Sequence, residues 1–181
     1  MDLQTKSVTK KLNEYSEIKA LMNRAFPKNE QNPMWLLNYW EKKDGVEFLA
    51  YYDDDILCGF TFTVAMEKTV FVMYIAVSDK IRSKGYGSTI LSLLKKRYPD
   101  SEIALNIETL DKDADNYEQR VKRFSFYERN GFFSTDKNVK FGKNEMLILS
   151  TNKNFDEKAY TAILRKLSFG LYKPQIVPVE I

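Results

Sequence analysis

A mixed α/β fold, with helices flanking a central and mostly antiparallel sheet, follows from three observations. Apolar runs of strand length alternate with stretches of helical spacing. One such run, Val70–Val77, leads through a basic, glycine-containing turn straight into a helical pattern. The chain has 181 residues, 44% of them hydrophobic and 29% charged, which is the make-up of one globular domain with enough length for a real core.

Ser7–Leu12 reads as a short first strand. Tyr15, Ile18, Leu21, Met22 and Ala25 recur at helical spacing and predict an amphipathic helix that ends at Phe26-Pro27. Asn32-Pro33 reads as a cap followed by proline at the first helical position, opening a second helix through Trp40. Val46–Tyr52, Ile56–Ala65 and Thr69–Val77 read as an antiparallel meander, with Asp53-Asp54-Asp55 as its first turn. The glycine turn and a helix to Arg97 follow, and Pro99-Asp100 breaks that helix. Ile103–Ile107 reads as a buried strand and Asp111–Asn116 as a polar loop. Arg120–Asn130 reads as a helix stopped by Gly131 in the position of a left-handed cap. Val139–Phe141 and Met146–Leu149 form a hairpin around Gly142-Lys143-Asn144. Past residue 150, Tyr160, Ile163, Leu164 and Leu167 mark a helix with one apolar face. Leu171–Ile181 carries Pro174 and Pro178 and is expected to be extended. The expected organisation is a domain over residues 1–150 and a C-terminal helix and tail over 151–181. That tail either packs on the domain or covers a partner subunit, which leaves room for a homodimer.

Composition narrows the function. The net charge of +3 and its scattered basic residues do not make a nucleic-acid face. The single cysteine, Cys58, sits in a strand pattern and reads as a small core residue, which fits a reducing cytoplasm. The first residues lack the apolar centre of a signal peptide, and no run approaches the ~20 apolar residues of a membrane span. There is no histidine. A Ser-His-Asp or Cys-His hydrolase and a histidine-ligated zinc site are therefore excluded, and no metal ligand is assigned. Acid–base chemistry falls to carboxylates, tyrosine, lysine or water.

The segment Ile81-Arg82-Ser83-Lys84-Gly85-Tyr86-Gly87-Ser88 carries the most information. Glycines let the backbone approach a ligand closely. Amides at the following helix start lack intrahelical partners, and the helix dipole adds partial positive charge there. Arg82 and Lys84 add full charges, so the turn reads as a site for a phosphorylated group. It lacks the spacing of a nucleotide-triphosphate loop, and the third glycine of a dinucleotide fingerprint is Ile90. Arg-x-x-Gly-x-Gly between strand and helix instead resembles the GNAT superfamily of N-acetyltransferases. Phe126-Tyr127-Glu128-Arg129-Asn130-Gly131-Phe132, about forty residues downstream, looks like that family's Tyr-x-x-x-Gly-Phe element. The resemblance covers roughly residues 5–150.

The resemblance implies a fold, a cosubstrate and roles. The turn from Arg82 to Ser88 would hold the pyrophosphate of acetyl coenzyme A. The strands on either side of it would splay apart, and Ile75, Ala76 and Val77 would offer backbone to the pantetheine arm. Tyr127 would protonate the leaving thiolate, although Val121, Phe124 and Tyr127 also form an apolar helical stripe. A backbone amide near Val77 would steady the developing oxyanion. Glu108, closing its strand, is the expected base for the acceptor amine, with Glu67 as an alternative. Asp111, Asp113 and Asp115 would attract a cationic amine. Many members carry an asparagine seven residues before the tyrosine and an alanine four before it. Here those positions are Arg120 and Arg123, with Asn116 one turn earlier as a substitute and Phe124 as an apolar contact for the cofactor. The expected activity is acetyl transfer to a primary amine of a small molecule or protein, by direct attack in a ternary complex. A non-catalytic acyl-CoA-binding module is the alternative. Nothing in the sequence names the acceptor, whose contacts would come from Phe26–Asn38 and Asp111–Asn116.

Overall fold

The computed structural model describes residues 2–81, 84–142 and 144–179. Two compact units emerge, one of Met1–Val64 with Val72–Arg97 and the other of Ala65–Phe71 with Tyr98–Ile181.

The first unit contains strand β1 (Gln4–Ser7), helices α1 (Tyr15–Ala25) and α2 (Met34–Trp40), and strand β2 (Val46–Asp53). Strands β3 (Ile56–Met66) and β4 (Thr69–Val77), apart from Ala65–Phe71, and helix α3 (Tyr86–Arg97) follow. The strands lie in the order β1-β2-β3-β4, with β1 and β3 antiparallel to β2. Helix α1 buries Ile18, Leu21 and Met22. It stops at Phe26, which is extended (φ −127°, ψ 142°) because the ring of Pro27 pushes its predecessor out of the helical region. Phe48, Phe60 and Phe62 meet edge to face, the Phe48 and Phe62 rings 5.4 Å apart, and make the aromatic heart of this unit's core.

The second unit contains β5 (Glu102–Glu108), α4 (Tyr117–Arg129), β6 (Phe133–Phe141), β7 (Asn144–Ser150), α5 (Glu157–Leu167) and β8 (Gln175–Pro178). Its order is β5-β7-β6-β8, with every pair antiparallel. Helix α5 buries Ala159, Tyr160, Ile163, Leu164 and Leu167, and Asp156 caps it by accepting from the Ala159 amide at 3.0 Å. The buried Glu102 accepts from the Asp156 amide and the Thr69 hydroxyl, each at 3.2 Å, and burial pushes its carboxyl up. Gly131 has φ 73°, so α4 ends at a left-handed cap as its sequence predicts. Among the described residues, no helix is long and apolar enough to cross a membrane.

Four expectations shift. The first strand is Gln4–Ser7 and not Ser7–Leu12, since its place is set by pairing Gln4 with Tyr52 and Ser7 with Leu49. Pro33 is the extended residue before α2 rather than its first residue, and Asn32 does not cap it. Helix α4 begins at Tyr117, three residues before Arg120. The hairpin strand β6 begins at Phe133, six residues before Val139, and carries an irregularity between Ser134 and Asn138.

Candidate active site

In the first unit, β4 places Ile75 and Val77 half-buried against a core of Leu49, Tyr51, Cys58 and Ile90, while Ala76 is buried. The strand runs very close to β3 there. A Cβ on Gly59 would lie 2.3 Å from the Ala76 carbonyl oxygen and 3.2 Å from the Val77 Cα. Only glycine fits between them. Ser78 leaves the strand by donating its amide to the Cys58 carbonyl at 2.8 Å. Cys58 is fully buried, and burial pushes its thiol up, as the core reading expects.

Gly85 follows, exposed, with φ +81° and open space within 4 Å of where a Cβ would stand. Its carbonyl accepts from the Thr89 amide at 3.1 Å, which fixes the first turn of α3. The amides of Tyr86, Gly87 and Ser88 precede that bond and have no intrahelical acceptor. Lys84 and Ser88 are exposed and Gly87 is half-buried. Arg82 and Ser83 lie outside the described residues. The Tyr86 side chain does not face a ligand on the turn. It is 6% exposed in the core, and its hydroxyl donates to Asp53 Oδ2 at 2.6 Å. That bond, with burial, pushes its ionisation up to about 12. Only the Tyr86 amide is left to the turn.

In the second unit, Glu108, Asn116 and Arg123 come together. Glu108 Oε1 accepts from Asn116 Nδ2 at 3.1 Å, and Glu108 Oε2 pairs with the Arg123 guanidinium. Asn116 Oδ1 accepts from Arg120 Nε at 2.7 Å, and Arg120 Nη1 donates to the Thr109 carbonyl at 2.9 Å. The arginines at the two family-divergent positions thus tie the start of α4 to the end of β5. Asn116 is engaged at both ends of its amide, which works against its use on a cofactor. Both Glu108 oxygens are thus already engaged, one by Asn116 and one by the Arg123 guanidinium.

Tyr127, one turn beyond Arg123, is 8% exposed and packs edge to face on Phe126 and Phe132 at 5.1 and 5.7 Å. Burial pushes its hydroxyl up to about 12, against an opposing pull from Arg123. Among the described residues its hydroxyl makes no hydrogen bond. Phe124 is half-buried on the same helix.

A profile of the acetyltransferase (GNAT) family matches residues 15–132, more than half of the chain. The chain belongs to the GNAT family of acetyltransferases. Its match spans β4, the glycine turn, Glu108 and Tyr127. A GNAT-family protein from Bacteroides thetaiotaomicron is 22% identical with a TM-score of 0.74, covering 93% of this chain and 99% of its own. An Elizabethkingia anophelis GNAT acetyltransferase with acetyl-CoA bound is 14% identical, with a TM-score of 0.56 and coverage of 82% and 96%. An aminoglycoside 6'-N-acetyltransferase complexed with coenzyme A is 14% identical, with a TM-score of 0.61 and coverage of 84% and 99%. At these identities the likeness is one of fold. Among curated protein sequences, none matches the chain at a significant level.

Sequence reasoning missed the hub made by Tyr74. Its buried hydroxyl donates to the Glu30 carbonyl at 2.7 Å and accepts from the backbone and side-chain N–H of Asn32, each at 2.9 Å. Phe26 stands on its ring at 4.9 Å. Tyr74 and Asn32 are 42 positions apart, and no local pattern links them.

Proposed function

We propose that this GNAT-family chain moves an acetyl group from acetyl-CoA to a primary amine, by direct attack in a ternary complex. The observation that carries the reading is the turn at Gly85. Its positive φ, its open surface and the unpaired amides opening α3 suit an anionic group, so the residues present fit a pyrophosphate. Gly85, Lys84 and the amides of Tyr86, Gly87 and Ser88 would hold that group, and Ile75–Val77 would hold the arm beside it.

Acetyl-CoA would supply a thioester whose carbonyl carbon bonds to the amine nitrogen as its carbon–sulfur bond breaks. The Val77 region would offer a backbone amide to the carbonyl oxygen. Tyr127, like any phenol protonated at neutral pH, would give its proton to the departing sulfur. The amine loses its own proton to solvent, since no histidine exists and Glu108 is committed to Arg123. Cys58, buried against Tyr86 and Ile90, is not offered as a covalent carrier. An unpaired thiol in that position suits a reducing compartment such as the cytoplasm.

The commitment of Glu108 also favours a second reading, a binding module that holds acyl-CoA without turning it over. Free-thiol release from acetyl-CoA over a panel of amines separates the two. Amine-dependent thiol release supports transfer. Coenzyme A binding with no release above the amine-free rate supports the module.

A further inference from the structure

Lys19 and Met22 of α1, with Lys28, Asn32, Met34 and Trp35, line a cavity of about 760 Å³ in the first unit. Its charge is of one sign, for no aspartate or glutamate lines it. The ion pairs close by join Arg24 to Asp79 and Lys80 to Glu17. They leave Lys19 and Lys28 with no carboxylate partner among the described residues. Trp35 is 65% exposed, a large aromatic surface that the fold itself does not cover. The wall is held in place before any ligand arrives. Tyr74, on β4 and three positions before Val77, clamps Glu30 and Asn32, and the Gln31 amide donates to the Phe26 carbonyl at 2.6 Å. A fixed wall reduces the ordering cost of binding.

We propose that this groove recognises the acceptor, and that it selects a small amine bearing a carboxylate beside an apolar side chain. The proposal rests on the acetyltransferase reading above and names its substrate class. The volume suits a small molecule, since such pockets run about 300–1,000 Å³. The ammonium groups of Lys19 and Lys28 act as point charges on an anionic group, and a carboxylate is the anion that a small amine most simply carries. Trp35, Met22 and Met34 provide the apolar seat. A polyamine would bring like charge against Lys19 and Lys28 and is selected against.

The test is a calorimetric titration with N-acetyl-leucine, N-acetyl-methionine and N-acetyl-phenylalanine, each beside its C-terminal amide. These are product-like probes that need no turnover, and the amides keep the side chain while losing the charge. At least one acid is expected to bind about tenfold tighter than its amide, the scale of one charge-assisted contact. Lys19→Gln and Lys28→Gln, both at exposed positions, should together close that gap while leaving coenzyme A affinity unchanged. Acids that bind no tighter than their amides, or a gap that survives the double substitution, overturn the proposal. So does spermidine being acetylated faster than leucine, methionine and phenylalanine. A parent protein that fails to bind coenzyme A counts against the acetyltransferase reading instead, and that titration is run first.

Discussion

The Tyr127 ring packs on Phe126 and Phe132, and burial pushes its hydroxyl up to about 12, so it keeps its proton at neutral pH as an ordinary phenol does. Tyr127→Phe keeps the ring and its packing on Phe132 and removes only that proton. A positioned proton donor is worth about 10²–10⁴-fold, so kcat should fall on that scale while coenzyme A affinity stays put. Steady-state kinetics with unchanged kcat would return Tyr127 to the core. Glu108 makes a different prediction. A primary amine, whether an α-amine or a lysine-like one, is mostly protonated at pH 7, so the parent rate should rise with pH. Because Glu108 is paired with Arg123 rather than free, Glu108→Gln should lower the rate by a similar factor at pH 7 and at pH 9.5. A loss confined to pH 7 would identify it as a base after all. The sequence shows Glu108 as a carboxylate at a strand end. The engagement that changes its role comes from Arg123, a residue brought near only by the turn of the chain between β5 and α4.

At the scale of elements, two glycines serve the same strand–turn–helix for opposite reasons. Gly59 lets β3 and β4 approach until the Ala76 oxygen lies where a Cβ would be. Gly59→Val should therefore cost about 1–3 kcal/mol, as overpacking does, read as a lower urea midpoint. A midpoint equal to the parent's would mean that the strands part at little cost. Gly85 instead faces open space, and its substitution strains only φ, at about 1–2 kcal/mol. Gly85 was legible because a basic turn between an apolar strand and a helix has few other uses. Gly59 was not, since its constraint comes from a neighbouring strand. The same division runs through the fold. Strand β4 was legible to the residue from an unbroken apolar run, and helix α1 to within a residue of its end from periodicity and a proline stop. Strand β1 was misplaced because Gln4–Ser7 is exposed throughout, and only its pairing with β2 makes it a strand. The first half of β6 is polar and irregular where it passes β7, so it carries no alternation to read.

The whole molecule is rich in tyrosines whose protons the fold holds tightly. Tyr127 and Tyr86 rise from 10.0 to about 12, and burial pushes Tyr51, Tyr52 and Tyr160 up as well. The unfolded chain releases these protons first, near pH 10, so it binds fewer protons than the folded one above that point. Stability is then fully present below about pH 10 and falls as pH rises towards about 12. Urea midpoints should be level from pH 7 to 9 and drop steeply between 10 and 11.5. A level midpoint to 11.5 would mean that these hydroxyls ionise freely in the fold. Fold class and family were legible from the order of elements and two short motifs. Of the groove proposed for the acceptor, Lys28 to Trp35 fall in the stretch the sequence points to, whereas Lys19 and Met22 do not, because they join that wall only after α1 has folded. Isothermal calorimetry tests most directly whether the β4–α3 turn is the seat of coenzyme A. Coenzyme A should bind the parent and lose at least about tenfold in affinity to folded Gly85→Val, since charge-assisted contacts are worth about 1.5–3 kcal/mol each. Equal affinity for both proteins would contradict it.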